Sequence, residues 1–466
     1  MTGGTRERLD LSRRRLLSAA GAGVAAALTG CGYRPGGGDL VWESELDDGG
    51  ILGSGRTWFA VTTDRLFAVR NQSGRTYDFE AETWGTVENA SVTAVDRAGT
   101  PRLHAETERQ AVAPPAVTDS SVFVPVEGGG VTAIDRDAAG VDPDARRTTG
   151  GTGGDETGTG AAEDDEIRWQ VDGIAANGGG SDASDGLDES DGSDESDGTT
   201  DPPGIDGLRA SERLVAVIAE TDLVALDAET GDRAFRVAEA WPGGTGGGAG
   251  RVAVDGDDVW AAVAATGDES GSEESGSEES SGGRGTVLAR FGPTGDRRAA
   301  RSLSAEADWL AVAGETITVG EAGDRLVSYD RDLDRRFALP ERSPRDRPRA
   351  PPGDGSRLYY ATGGTVRSVD ASGGELAWER SDLPGGPLAV DREGAYVAEN
   401  GSGFGGGSES RIVAVDADGG DRWTAPLPEG VAVDELFAVA GRLIVVDGEE
   451  LYGFHAAPGE RWSVLG

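Results

Sequence analysis

Apolar and polar residues alternate along most of this chain in runs of five or six, each run closed by a short polar turn. The stretch Ile412–Pro426, IVAVDADGGDRWTAP, is the clearest case. Period-two alternation predicts strands with one face buried. The unit recurs as LVALDAETGDRAF ending at Phe235, VRSVDASGGELAW ending at Trp378 and LYGFHAAPGERW ending at Trp462. Weaker copies are VTAVDRAGTPRL, VTAIDRDAAG, LARFGPTGDRR, LVSYDRDLDRRF and LFAVRNQSGRTY. The positions equivalent to the closing Asp are Arg70, Asp96, Asp135, Asp227, Phe291, Asp330, Asp370, Asp416 and His455, several of them 39 or 40 residues from the next. Short strands at about this period predict a β-propeller. One four-stranded antiparallel sheet cannot bury both of its faces, so blades must stack around an axis. The expected fold is therefore all-β, a single propeller. Nine unequal copies, with the one near Asp96 too short for a full blade, point to eight blades, with seven as the alternative.

Within the unit the closing Asp caps the turn backbone, and the Gly four places on supplies a positive φ. The Trp that follows fills the space between blades. These expectations single out Asp96, Asp135, Asp227, Asp330, Asp370 and Asp416, and the aromatic positions Trp42, Trp169, Trp378, Trp423 and Trp462. Leu40-Val41-Trp42-Glu43 reads as an isolated outer strand of the same repeat. Pairing such a strand into the blade at the other end removes an open sheet edge, so it is expected against Leu443–Leu465.

Residues 1–31 read as a signal segment that stays outside the fold. Arg13 and Arg14 lie in Ser12-Arg13-Arg14-Arg15-Leu16-Leu17, a twin-arginine pattern, and a weakly apolar run follows from Ala19 to Leu28. Leu28-Thr29-Gly30-Cys31 is a lipobox, and Cys31, the single cysteine of the chain, is the expected site of lipidation. Residues 32–39 form a flexible spacer and 40–466 the propeller. Low-complexity insertions at about 141–165, 177–201 and 267–283, rich in Gly, Asp, Ser, Thr and Glu, bury too little apolar surface to order themselves. The first two were expected within one blade region. Pro340–Pro352, PERSPRDRPRAPP, reads as a linker.

The net charge is −41, and all 43 basic residues are Arg. At molar salt the Debye length falls to about 3 Å and self-repulsion is screened, so acids spread over every blade suit a halophilic protein. Nucleic acid is excluded as a partner because no basic face is visible. Asp191, Asp194 and Asp197 of SDGSDESDG lack calcium-loop spacing and read as solvated linker. His104 and His455 read as structural. Asn71, Asn89 and Asn400 stand in N-x-S sequons and are glycosylation candidates.

The repeat resembles that of the PQQ-like β-propeller family, A-x-D-x-x-T-G-x-x-x-W, over roughly residues 40–466. ALDAETGDRAF matches through Ala225, Asp227, Thr230 and Gly231, with Phe235 displaced from the Trp position; AVDADGGDRW matches through Ala414, Asp416, Gly420 and Trp423. The quinone-dependent dehydrogenases of this family use a vicinal disulfide, which one cysteine cannot make. The chain is also similar to the lipoprotein propeller subunits of the outer-membrane β-barrel assembly machinery, a resemblance that implies a scaffold. The expected protein is a non-enzymatic, monomeric protein-binding module without a cofactor or metal. It is exported and held to the external face of the cytoplasmic membrane through a lipid on Cys31. The alternative is a quinone- or carbohydrate-binding propeller with redox or hydrolytic activity.

Overall fold

Every alternating run becomes a strand, and the strands gather in fours. The computed structural model describes residues 36–46, 53–78, 83–138, 166–174, 204–242, 248–265, 285–322, 325–339, 348–351, 356–362, 364–401 and 410–457. Strand β1 (Leu40–Glu45) comes first in the chain but belongs to the last blade. Blade 1 is β2 (Gly53–Val61), β3 (Arg65–Asp78), β4 (Thr83–Asp96) and β5 (Pro101–Glu106); blade 2 is β6 (Ala116–Val117), β7 (Ser121–Val126), β8 (Gly130–Asp135) and β9 (Ile167–Val171). Blade 3 is β10 (Ile205–Ala210), β11 (Leu214–Ala219), β12 (Asp222–Asp227) and β13 (Arg233–Val237). Blade 4 is β14 (Val252–Asp255), β15 (Asp258–Ala264), β16 (Thr286–Phe291) and β17 (Arg297–Ser302). Blade 5 is β18 (Ala307–Ala313), β19 (Thr316–Glu321), β20 (Arg325–Tyr329) and β21 (Arg335–Leu339). Blade 6 has β22 (Arg357–Thr362), β23 (Thr365–Asp370) and β24 (Leu376–Arg380); blade 7 is β25 (Leu388–Asp391), β26 (Gly394–Glu399), β27 (Arg411–Asp416) and β28 (Asp421–Pro426). Blade 8 joins β29 (Glu435–Val439), β30 (Arg442–Asp447) and β31 (Glu450–His455) to β1. The fold is thus the expected eight-bladed propeller.

The first strands of successive blades touch around the axis, as β10 does β14 and β25 does β29. In blade 6 that inner place goes to the segment expected to be a linker: Arg349 exchanges two 2.8 Å backbone hydrogen bonds with Tyr359, and its Nη1 reaches the Leu436 carbonyl of blade 8 at 3.4 Å. Two prolines, Pro348 and Pro351, keep the segment too short to become a strand. The core lies between blades. One apolar cluster joins Ile218 and Phe235 of blade 3 to Val259 and Phe291 of blade 4; another joins Phe67 and Val92 of blade 1 to Val124 and Ile134 of blade 2. Each fully buried aliphatic or aromatic side chain contributes roughly 1.5–3 kcal/mol, so the seams hold the ring together.

Closure is as expected. Leu40 pairs with Phe454 and Trp42 with Gly453, placing the first described strand on the outer edge of the last blade. The remaining sequence readings need four corrections. Arg70 does not end a strand: β3 runs on to Asp78 and pairs with β4 throughout, so the Arg70 and Asp96 copies share one blade and nine copies become eight blades. The turn of blade 4 begins at Gly292, whose amide binds the Asp296 carbonyl at 2.9 Å, one residue after Phe291. Phe235 is not displaced; it faces Ala225 as Trp423 faces Ala414, and the turn after Asp416 is the shorter one. Finally, insertion 141–165 falls between β8 and β9 of blade 2, but 177–201 falls between blades 2 and 3.

The turn chemistry accounts for the repeat. Asp370 Oδ1 accepts from the amides of Ser372 at 2.8 Å and Gly373 at 2.9 Å; Asp416 Oδ1 accepts from those of Asp418 and Gly420, both at 2.8 Å. Asp96, Asp135, Asp227 and Asp330 cap their turns in the same way. The positive φ falls on Gly231 (77°) and Gly374 (71°) four places after the Asp, but on Gly99 (74°) and Gly419 (85°) three places after. A second constraint acts there, because the outer-strand aromatic of the preceding blade lies on that glycine. A Cβ on Gly231 would come within 2.8 Å of Trp169, on Gly419 within 2.7 Å of Trp378, and on Gly99 within 2.6 Å of Trp42. The indole N–H then donates to the carbonyl just after the next blade's capping position. Trp42 binds Arg97 O at 2.9 Å, Trp169 Ala228 O at 3.0 Å, Trp378 Ala417 O at 2.9 Å and Trp423 Ala456 O at 3.0 Å. Four tryptophans thereby act as rivets between blades.

Candidate protein-binding surface

Blade 1 departs from the common plan in the length of its strands. Its β3 and β4 are 14 residues each, more than twice the usual strand here, and pair from Arg65↔Asp96 to Asp78↔Thr83. Neighbouring strands stop short of that length: β2 reaches β3 as far as Gly53↔Ser73, and β5 reaches β4 as far as Glu106↔Ser91. Beyond those pairs β3 and β4 continue as a two-stranded ribbon, and among the described residues no third strand flanks it.

The ribbon is fixed at its base. The Asn71 amide makes a two-way bridge to Ala111 of the neighbouring blade, Nδ2 to the carbonyl and the Ala111 amide to Oδ1, both at 2.8 Å. Arg70 pairs with Glu449 of blade 8, and the Thr107 hydroxyl donates to the Ala90 carbonyl at 3.2 Å. At the far end Trp84 stands opposite Tyr77 with 61% of its surface exposed, and the Arg75 guanidinium lies 5.9 Å from its ring. An exposed indole on a rigid base is a feature of contact surfaces, where a large ring binds with little loss of conformational freedom. Carboxylates surround the root of the ribbon: Glu88, Glu106 and Glu108 are all exposed.

The sequence reading closes a strand at Arg70 and treats the copy near Asp96 as a separate short unit, and so misses the ribbon. The available signal was the alternation on both sides of Tyr77–Trp84.

The other singled-out residues fall elsewhere. Arg13, Arg14, Cys31, Trp462 and the carboxylates Asp191, Asp194 and Asp197 lie outside the described residues. Asn71 is buried and doubly bonded, and Asn400 repeats its geometry: Nδ2 to Val433 O at 3.0 Å and Val433 N to Oδ1 at 2.7 Å. Both asparagines thereby tie their blade to the backbone leading into the next one. Asn89 donates to Glu106 Oε2 at 3.2 Å. His104 lies 3.9 Å from Glu106, and His455 Nδ1 is 2.8 Å from Arg442 Nη1. Burial, with the Arg442 cation next to it, lowers the His455 pKa. A cleft of about 470 Å³ also opens beside the closure strand, with Gly37, Leu40, Ala425, Pro426 and Phe454 in its wall.

The sequence model of the family described as "outer membrane protein assembly factor BamB" matches residues 219–457. Solved structures are similar in fold. BamB from Moraxella catarrhalis is 13% identical, with 90% of this chain and 97% of that one covered and a TM-score of 0.47. The computationally designed Ika8 protein is 11% identical, with 90% and 100% covered and a TM-score of 0.49. A chain of the mitotic checkpoint complex is 11% identical, with 73% and 89% covered and a TM-score of 0.41. No curated protein matches the chain.

Proposed function

Because the chain belongs to the family described as outer membrane protein assembly factor BamB, we propose that it is a non-enzymatic scaffold that binds another protein at the cell surface. Residues 1–31 serve as a twin-arginine signal with its lipobox, Cys31 carries the lipid and the acidic insertions stay solvated; the expected flexible spacer 32–39 is corrected at its end, because Gly38 N donates to the His455 carbonyl at 2.9 Å and His455 N to the Asp39 carbonyl at 3.0 Å. A lipid chain contributes about 0.8 kcal/mol per buried methylene, so it holds the disc at the outer face of the cytoplasmic membrane without inserting it. The acidity and the absence of Lys suit a haloarchaeal source in molar salt.

The observation that carries the binding role is the ribbon: a rigid, protruding hairpin that presents Trp84 to solvent. Although Arg75 lies 5.9 Å from its ring, most of the Trp84 surface still faces solvent. A ring so exposed is suited to contact a partner. The test is crosslinking and affinity capture from native membranes in molar salt, comparing wild type, Cys31→Ser and Trp84→Ala. The expected result is a defined partner that is depleted with Trp84→Ala and fails to co-sediment with membranes through Cys31→Ser. Capture of the same proteins by all three forms at equal yield would overturn the assignment.

A further inference from the structure

The ribbon also says what sort of segment it accepts. Strand β5 runs beside β4 until Glu106↔Ser91, and the Thr107 amide still bonds the Ala90 carbonyl at 2.9 Å. There the chain turns away towards blade 2, where Ala111 bridges to Val126. The lane beside β4 from Thr83 to Glu88 therefore lies directly in line with β5, and no described strand fills it. A strand laid in that lane would complete the sheet, as extended segments do when they bind by strand addition.

The side chains along the lane define its chemistry. Cross-strand pairs share a face, so Trp84, Thr86 and Glu88 stand on one face of the ribbon, with Arg75 across from Thr86 and Ser73 across from Glu88. Glu106 shares the other face with Ser91 and is held by the Asn89 amide at 3.2 Å. Glu108 follows where the lane ends and accepts from Gln170 at 3.4 Å. An incoming strand would thus meet an indole at one end and three exposed carboxylates at the other. In molar salt the Debye length is about 3 Å, so these charges cannot attract a partner from a distance. Selection has to come from contact: edge hydrogen bonds, apolar contact with the Trp84 ring beside Arg75, and a guanidinium paired with a carboxylate in two-point geometry. Arginine makes the last contact with one planar group.

We propose that the β4 edge from Thr83 to Glu88 binds an extended, arginine-bearing segment of a partner protein by strand addition, with an arginine of one of its faces on Glu88 and an arginine of the other on Glu106. This rests on the scaffold reading above and deepens it.

The probe is a synthetic ten-residue peptide with pairs of adjacent Arg separated by Thr and Val, so that both faces of the strand carry Arg, with a matched peptide carrying Glu in place of Arg, titrated onto full-length protein in molar potassium chloride. Hydrogen exchange reads the amides of residues 83–90. The expected result is protection of those amides by the Arg peptide, with at least about tenfold weaker binding to the Glu88→Arg, Glu106→Arg double variant and to Trp84→Ala. The double variant changes exposed side chains, and unaltered exchange in blades 2–8 will show that it folds. Equal binding of the two peptides, persistence of binding in the charge-reversed variant, or protection elsewhere on the disc would overturn the proposal. If membrane capture depends on Trp84 while the Arg peptide fails, the scaffold reading stands and this inference falls.

Discussion

Arg290 stands opposite Ala299 across β16 and β17, the reverse of the order at every other seam, where a small residue faces a large apolar one. Elsewhere the pairs are Gly453 with Trp42, Ala133 with Trp169, Ser368 with Trp378 and Ala414 with Trp423. In blade 4 the guanidinium does the work of the missing indole. It lies 5.2 Å from the Trp260 ring and donates to the Arg331 carbonyl at 3.3 Å, the carbonyl that a Trp N–H takes at four other seams. The turn of blade 5 then carries Leu333 rather than glycine at a φ of 65°, packed in the same cluster as Ala299.

This pairing makes Leu333 a compensating residue. Leu333→Gly relieves left-handed strain of about 1–2 kcal/mol but removes a buried side chain worth roughly 2–5 kcal/mol, so a net loss of about 1–3 kcal/mol is expected. Adding Ala299→Phe restores a ring over the new glycine and should recover on the order of 1 kcal/mol. Unfolding of the two single variants and the double variant in molar salt measures the coupling; strict additivity would disprove the relation.

At the seam between blades 2 and 3, Trp169 separates ring from hydrogen bond. Trp169→Phe keeps most of the ring and should cost about 0.5–1.5 kcal/mol for the lost bond to Ala228. Trp169→Ala should cost roughly 3–5 kcal/mol. Gly231→Ala should also destabilise, because the added methyl meets both the positive φ and the indole. Thermal unfolding orders the three; a Gly231→Ala as stable as wild type would contradict the contact.

Two capping carboxyls are held below their usual range. At Asp370 the Ser372 hydroxyl is the main cause, followed by the Gly373 amide; at Asp96 burial pushes upwards, but the Arg102 guanidinium and the Ala98 and Thr100 amides outweigh it. Folding therefore favours the ionised form. That stabilisation is whole above the reference value of 3.8 and is lost as the pH falls through the lower folded values. Carboxyl titration by NMR should place both midpoints below 3.8, and the stability difference between wild type and Asp370→Asn should shrink in acid.

His455 titrates in a different window. It takes the capping position of blade 8, its amide binds the Asp39 carbonyl at 3.0 Å and its carbonyl accepts from Gly38 at 2.9 Å, so it lies at the ring closure. Accepting from Arg442 at Nδ1 requires the neutral ring with its proton on Nε2. With the folded pKa lowered from 6.5, the unfolded chain binds the proton first, and stability falls as the pH drops from 6.5 through the folded value. Wild type should lose more stability than His455→Asn between neutral pH and pH about 5. Equal losses would show that His455 does not contribute.

The repeat made the architecture readable because its key residues answer to local chemistry. An Asp that caps a turn and a Gly at positive φ announce themselves within five residues, so Asp227, Asp370 and Asp416 gave the blades directly. Arg70 misled because alternation continues through the ribbon, and alternation alone does not say where a strand ends. The second role of Gly99, Gly231 and Gly419, as seats for another blade's indole, depends on contacts between segments far apart in sequence. Asn71 is the sharpest case: its sequon is local, while the bridge its amide makes runs to Ala111, 40 residues on, and left no mark in the sequence. The closure was legible for a different reason. Leu40-Val41-Trp42-Glu43 reads as an outer strand of the repeat standing apart from any blade, and pairing it into the last blade removes an open edge.

The closure strand also sets an order of events. β1 is made among the first described residues and its partner β31 among the last. Seven blades can zip up as the chain is synthesised, but the eighth must wait, leaving Trp42 without its seat on Gly453 until nearly the whole polypeptide exists. Joining strands this far apart in sequence carries the largest loop-closure penalty in the molecule. The ring is therefore its own completeness check: a chain cut short before β31 has no edge to receive β1.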